Sequence, residues 1–235
     1  MQKTNTLQSD GSNDSSDSST PEYNFKIVVI GDSRVGKTAL IKYLLSNQIT
    51  ENSEPTAIFS HFFKNYNIQG KIIGLQIWDT SGETAYRSLL QRFFRFSLCI
   101  LIVFSLENEN SFNNIPFWLD EIKNNNDVNF NDSIKILIGT KISETPNEEN
   151  KKENIKQFCK DNQIEEYFEV NLKTGENIND LFQKTASKLY NKFVLTTLDE
   201  HDIEEYPDNI AGIKNNYLNK KSYYSFCKSC LCYNQ

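Results

Sequence analysis

One octapeptide constrains the fold of this chain more than any other segment. Residues 31–38 read GDSRVGKT, which matches the G-x-x-x-x-G-K-[ST] signature of a phosphate-binding loop. The loop follows the apolar run FKIVVI (25–30), typical of a strand, and leads into TALIKYLL (38–45), typical of a helix. Strand, glycine-rich turn and helix are the context that the signature requires, so a chance glycine-rich turn is disfavoured.

The residue types of this loop point to phosphate chemistry. Its backbone N–H groups and the helix N-terminus can surround phosphate oxygens, Lys37 can reach the outer oxygens, and the Thr38 hydroxyl can bind Mg²⁺. The predicted loop consists of Gly31, Asp32, Ser33, Arg34, Val35, Gly36, Lys37 and Thr38.

Further apolar runs alternate with amphipathic stretches along the chain. They are IIGLQIWD (72–79), LCILIVFSL (98–106), IKILIGT (134–140) and YFEV (167–170). Near-continuous apolar strands separated by helices indicate an α/β fold, with a mostly parallel sheet covered by helices on both faces.

Length and composition bound the domain count and the class of partner. The 235 residues, 38% of them hydrophobic, suffice for one sizeable core. The net charge of −6 argues against nucleic acid. The longest apolar run is about half a membrane span. The five cysteines form no even framework, which favours a reducing, cytosolic setting.

The chain divides into three parts by composition. Residues 1–22 are rich in Ser, Asp, Asn and Thr and are predicted to be a disordered N-terminal extension. Residues 23–195 carry the alternating pattern and form the predicted domain. Residues 196–235 are acidic, then rich in Tyr, Lys and Cys, and are predicted to be a flexible tail.

A second segment, which ends in an acidic residue, carries a specific resemblance to a known family. Asp79 ends the run 72–79, where a carboxylate should face the metal. The stretch LQIWDTSGE (75–83) resembles LQIWDTAGQ of the Rab proteins, and SFNNIPFWLDEI (111–122) resembles a segment of the same family. Over residues 24–194 the chain resembles a divergent, Rab-like small GTPase of the Ras superfamily, which implies a P-loop NTPase fold, the small G domain, with a six-stranded sheet.

The resemblance implies roles for individual residues. Thr38, Thr56 and Asp79 would bind Mg²⁺, and Pro55 and Thr56 would belong to the first switch. Gly82 would sense the γ-phosphate, so that loss of this phosphate releases both loops. Lys37, Thr56 and Glu83 would form the catalytic set. A loop or strand threonine without this role is the alternative for Thr56.

Glu83 departs from the glutamine of the family. Glutamine both donates and accepts hydrogen bonds while orienting water, whereas an ionised glutamate only accepts and brings negative charge. We expect slow intrinsic hydrolysis. There are two alternatives. Glu83 would act as a general base, or it would be a solvated carboxylate that takes no part in catalysis.

The guanine-reading motifs also depart from the family. N-K-x-D becomes Thr140-Lys141-Ile142-Ser143, so a hydroxyl replaces a carboxylate, which predicts about 10- to 150-fold weaker guanine binding. Glu144 would supply the carboxylate if the loop shifted by one residue. The resemblance places base contacts at Ile49, which replaces an aromatic ring, and at Thr140, Lys141, Ser143, Asn171, Leu172 and Lys173.

Two further features concern partners and membranes. The effector triad of the family falls on His61, Trp78 and Phe93, which otherwise are ordinary sheet and switch positions. Cys230 and Cys232 resemble the C-x-C prenylation pattern, and Cys232 also stands fourth from the end, as in a farnesylation motif. A zinc or redox site and unmodified cysteines are the alternatives.

These features together predict a function. The resemblance implies a monomeric GTP/GDP switch with Mg²⁺ that hydrolyses GTP slowly in vesicle traffic. Its expected partners are effectors, exchange and activating factors and a prenyl-binding chaperone. We expect it in the cytoplasm and on the cytosolic face of an intracellular membrane. A pseudo-GTPase binding module, and a P-loop ATPase or nucleoside kinase, remain alternatives.

Overall fold

The computed structural model describes residues 20–48, 59–83, 86–125, 130–143 and 149–196. Within them one sheet is formed by six strands: β1 (Tyr23–Ile30), β2 (Phe59–Ile68), β3 (Lys71–Thr80), β4 (Cys99–Ser105), β5 (Ile134–Lys141) and β6 (Glu166–Asn171). The strand order is β2-β3-β1-β4-β5-β6.

Helices follow the strands in the alternating order that the sequence predicts. They are α1 (Lys37–Ser46), α2 (Arg87–Phe94), α3 (Glu109–Asn113), α4 (Ile115–Lys123), α5 (Glu149–Asp161) and α6 (Ile178–Tyr190), which continues as a π-helical turn (Asn191–Leu195). None of the helices in these residues is both long and apolar enough to cross a membrane.

Strand direction confirms the predicted mostly parallel α/β sheet. β1 pairs in parallel with β3 and β4, and β5 pairs in parallel with β4 and β6. β2 alone runs antiparallel, as a hairpin with β3. The apolar runs of the sequence do not mark β2, because its residues alternate between exposed and half-buried positions instead of being continuously buried.

Two hydrophobic layers cover the sheet, one on each face. On one face Leu40 and Leu44 of α1 pack with Leu181 of α6. On the other face Trp118 of α4 and Ile155 of α5 belong to a second hydrophobic cluster. Because five of these six strands run parallel to one another, their carboxyl ends lie at one common edge of the sheet, where ligands bind in folds of this kind.

Candidate functional site

The loop between β1 and α1 is shaped by its glycines. Gly31 has a φ of 140° and Gly36 a φ of 93°, which glycine adopts without steric cost. A Cβ on Gly31 would overlap the backbone of Val103 in β4, and one on Gly36 would overlap the side chain of Leu172. The predicted phosphate loop therefore packs closely against neighbouring strand ends.

Lys37 is buried inside this loop. Its ammonium group donates hydrogen bonds of 2.9 Å to the carbonyl oxygen of Gly31 and 2.7 Å to that of Asp32. Burial lowers the pKa of Lys37 to about 8, although the charges of Asp79 and Asp32 oppose this shift. A cation held among carbonyl groups at the start of a helix provides a local excess of positive potential for an anion.

Thr38, at the start of α1, contacts Asp79, near the end of β3. The Thr38 hydroxyl donates a 2.6 Å hydrogen bond to Oδ2 of Asp79, whose side chain is fully buried. A Cβ on Gly82 would overlap the backbone of Asp32 and Ser33, so the segment after β3 lies directly against the phosphate loop. Among the residues that the sequence assigns to metal and phosphate, the structure thus brings Thr38, Asp79 and Gly82 to the phosphate loop.

The donor set of Thr38 and Asp79 fits Mg²⁺. A hydroxyl and a carboxylate are hard oxygen donors, which this ion prefers in octahedral geometry. The described part of the chain holds no group of three or more His, Cys, Asp or Glu side chains placed to bind a metal. Further ligands of a magnesium ion here would include phosphate oxygens and water, as in phosphate-linked magnesium sites.

The segments assigned to the base lie beside the phosphate loop. Thr140 places Oγ1 2.6 Å from the carbonyl oxygen of Val35. The Asn171 amide donates to the carbonyl oxygen of Ser143 at 3.2 Å, and its Oδ1 accepts the backbone N–H of Lys173 at 2.8 Å. β5 and β6 therefore deliver the two predicted base segments to one place.

The ammonium group of Lys141 forms an ion pair. It lies 2.6 Å from Oε1 of Glu169 in β6, and both side chains are largely buried. This ion pair was not predicted from the sequence.

An anchor for the phosphate loop was also missed by the sequence reasoning. The Asp32 carboxylate accepts a 2.8 Å hydrogen bond from the indole N–H of Trp118 and a 2.7 Å hydrogen bond from the amide of Asn114. Asn114 lies between α3 and α4, and Trp118 is buried in α4. A charged acceptor with two donors fixes the loop to this helix.

The three predicted effector positions form one aromatic face with Phe59 and Phe63. The ring of His61 lies 4.5 Å from that of Trp78, which lies 5.7 Å from that of Phe93. Phe59 and Phe63 are 45% and 55% exposed. Partial burial, with a smaller contribution from Lys26, lowers the pKa of His61 and so favours the neutral form of its ring.

Glu83 is exposed, and its backbone N–H donates to Oγ of Ser81 at 3.3 Å. Several predicted residues lie outside the described ranges: Ile49, Pro55, Thr56, Glu144, Cys230 and Cys232.

Comparisons with known proteins agree with this geometry. The Ras family model matches residues 26–191. The Ras-related protein Rab-5B of Plasmodium falciparum is 33% identical over 171 residues, which cover 72% of this chain and 79% of the relative. The GTP-binding protein YPT53 of Saccharomyces cerevisiae is 32% identical, with coverages of 72% and 78%. Rab-9A of Rattus norvegicus is 30% identical, with coverages of 76% and 86%. The chain therefore belongs to the Ras family, as a divergent Rab-like small GTPase.

Proposed function

We propose that this protein is a guanine-nucleotide switch in vesicle traffic that binds Mg-GTP and Mg-GDP and hydrolyses GTP slowly. The observation that carries the proposal is the contact of Thr38 with Asp79 beside buried Lys37. One hydroxyl, one carboxylate and one lysine converge there at the N-terminus of α1, which is the arrangement that a magnesium-bound polyphosphate requires.

The residues of the site have distinct tasks in this proposal. Lys37 and the backbone N–H groups of residues 31–36 bind and orient the phosphates, while Thr38 and Asp79 hold Mg²⁺ together with Thr56. The ion, when bound, offsets the phosphate charge and orients the oxygens. The backbone of Gly82 is packed against the phosphate loop. Loss of the outer phosphate would therefore change the contacts of the segment after β3.

The switch is tested by comparing two nucleotide states of the same protein. The protein is loaded with GDP or with a non-hydrolysable GTP analogue, and hydrogen exchange is measured along the chain. We expect slower exchange of residues 79–83 with the analogue, because the outer phosphate gives this segment a partner. An ADP and ATP-analogue pair serves as the control. Identical exchange in the two guanine states would contradict a switch.

Slow hydrolysis follows from the side chain at position 83. The Glu83 carboxylate is exposed and, when ionised, only accepts hydrogen bonds. Single-turnover hydrolysis of GTP is therefore expected to be faster in Glu83→Gln, by about tenfold or more if one oriented hydrogen bond to water is gained. A slower Glu83→Gln variant would instead identify Glu83 as a general base.

The aromatic face is proposed as the surface that effectors bind. It combines exposed rings with the ring of His61, and aromatic side chains are enriched at the centres of protein interfaces. The exchange and activating factors would act on the same domain in a nucleotide-dependent manner.

Membrane attachment is proposed to depend on prenylation of Cys230 and Cys232 in the tail. A prenyl-binding chaperone would then deliver the prenylated protein to the cytosolic face of an intracellular membrane. Two lipids give durable attachment where one is marginal. Mass spectrometry of protein expressed in prenylating cells tests this, with Cys230→Ser and Cys232→Ser as matched variants. A prenyl mass increment that each substitution reduces is expected, and unmodified cysteines would refute the proposal.

A second candidate function is a pseudo-GTPase binding module. It is favoured by the base segment, where Lys141 pairs with Glu169 and position 143 lacks a carboxylate. This candidate predicts no GTP turnover in single-turnover assays, with or without an activating protein, whereas the first predicts slow turnover that an activating protein accelerates.

A further inference from the structure

Tyr43 of α1 contacts the loop that joins β6 to α6. Its hydroxyl donates a 3.0 Å hydrogen bond to the carbonyl oxygen of Thr174. Its ring fills the space beside Gly175, since a Cβ on this glycine would overlap the ring. Gly175 has a φ of 77°, which glycine adopts without steric cost. A hydrogen bond and a close packing contact therefore join helix α1 to this loop.

The same loop begins with residues 171–173, the second predicted base segment. Oδ1 of Asn171 accepts the backbone N–H of Lys173 at 2.8 Å and that of Thr174 at 3.1 Å. The backbone N–H of Gly175 donates to the carbonyl oxygen of Asn171 at 2.8 Å. The base segment and the residues that contact α1 therefore form one hydrogen-bonded turn, so displacing one part displaces the other.

The first turn of α1 carries the predicted phosphate and metal residues. The helix begins at Lys37, and Tyr43 lies five positions beyond Thr38, which is about 7.5 Å along the helix axis. The β6–α6 loop also contacts the phosphate loop directly, because a Cβ on Gly36 would overlap the side chain of Leu172. One helix therefore sets the separation between the phosphate site and the base segment.

This separation matters because a nucleotide links its phosphates and its base covalently. A site gains affinity when its binding groups are already held in the geometry of the bound ligand, since less ordering is needed on binding. When the base segment moves away, the phosphate contacts alone hold the nucleotide, and release becomes faster.

We infer that Tyr43 is a positioning residue for nucleotide retention, because its contacts with Thr174 and Gly175 hold the base segment at a fixed distance from the phosphate loop. The inference rests on the proposed function, in which residues 171–173 contact the base. Tyr43 acts through the loop, and this role requires no contact between Tyr43 and the nucleotide.

The test is the rate at which fluorescently labelled GDP is released into an excess of unlabelled GDP in magnesium. Tyr43→Phe keeps the ring beside Gly175 and removes only the hydroxyl. We expect release to become about fivefold faster, as for the loss of one net hydrogen bond. Gly175→Ala is the second variant, and it should accelerate release at least as much, because its Cβ displaces the ring of Tyr43. An unchanged release rate in Tyr43→Phe would overturn the inference.

A second measurement separates positioning of the base segment from a general loosening of α1. The release rates are measured again after magnesium is chelated with EDTA. Tyr43 acts on the base side and magnesium on the phosphate side, so Tyr43→Phe should accelerate release by the same factor in both conditions. A loosened α1 would act through Thr38 and the magnesium site instead. An acceleration that disappears in EDTA would therefore overturn the inference.

Tyr23→Phe is the matched control. It removes the hydroxyl of a tyrosine at the start of β1, whose ring packs against Tyr190. The release rate should stay that of the unchanged protein. Acceleration equal to that of Tyr43→Phe would show a nonspecific effect and would count against the inference. Tyr43→Phe and this control suffice for the test if Gly175→Ala folds poorly.

The inference and the proposed function fail in different ways. If the unchanged protein binds no labelled GDP, the proposed function is wrong and the inference falls with it. If the unchanged protein binds GDP and the variants release it at the same rate as the unchanged protein, the inference alone is wrong.

Discussion

Nucleotide affinity is expected to fall as the pH rises above about 8, because Lys37 loses its proton there in the free protein. The group is 6% exposed, and burial is the main cause of its lowered pKa of about 8. Bound phosphate brings negative charge next to the ammonium group and raises its pKa. Above pH 8, binding must therefore take up a proton, and each further pH unit weakens the apparent affinity.

The expected magnitude follows from the fraction of Lys37 that is charged before binding. With a pKa of about 8, this fraction falls about tenfold between pH 7 and pH 9. The apparent affinity for GDP should fall by the same factor. An ordinary lysine, with a pKa near 10.4, would lose almost none over this range.

The same shift has a consequence for folding stability. The unfolded chain holds the proton of Lys37 up to the ordinary lysine pKa, whereas the folded, nucleotide-free protein releases it from about pH 8. Because the unfolded state binds more protons between these values, the contribution of Lys37 to stability rises with pH across this window.

The assay is a titration of fluorescently labelled GDP at pH 7, 8 and 9, at constant ionic strength and magnesium concentration. Lys37→Met is the matched control, since it keeps an unbranched apolar side chain and cannot titrate. Titration of the nucleotide itself is common to both proteins and cancels in the ratio of their affinities. A ratio that stays constant from pH 7 to pH 9 would refute the lowered pKa.

Three substitutions test the packing around the phosphate loop. Trp118→Phe removes a hydrogen bond to the Asp32 carboxylate and should lower the free energy of unfolding by about 2 kcal/mol in urea denaturation; an unchanged value would show that the anchor contributes nothing. Gly82→Ala places a Cβ on the backbone of Asp32 and Ser33, so GDP affinity should fall about tenfold or more in a competition titration; unaltered affinity would contradict this close contact. Arg34→Gly relieves a φ of 63° and should raise the melting temperature, corresponding to about 1 kcal/mol; a lower value would argue against strain at this residue.

The sequence predicts the parts of the site that are encoded locally. The phosphate loop is a contiguous motif, and its glycines are required by close packing against Val103 and Leu172. Most of the buried parallel strands are equally visible, because β1, β4 and β5 are near-continuous apolar runs. Asp79 is identified by its position at the end of such a run.

Local sequence patterns could not predict contacts between residues that lie far apart in the chain. Asp32 and Trp118 are 86 positions apart, and the hydrogen bond from Tyr43 to Thr174 spans 131. Their pairing depends on which strands become neighbours.

The edge strand β2 was not recognised in the sequence for a different reason. β2 has no continuous apolar run, because the antiparallel hairpin leaves one of its faces open to solvent. The same exposure produces the aromatic face, so the feature that hides the strand from hydrophobic patterning is the one that gives it a functional surface.

The central claim is that this site holds a guanine nucleotide with magnesium. The most direct measurement is to purify the protein in magnesium, denature it and identify the released nucleotide by chromatography. We expect GDP or GTP in an amount close to that of the protein. Release of an adenine nucleotide, or of no nucleotide, would contradict it.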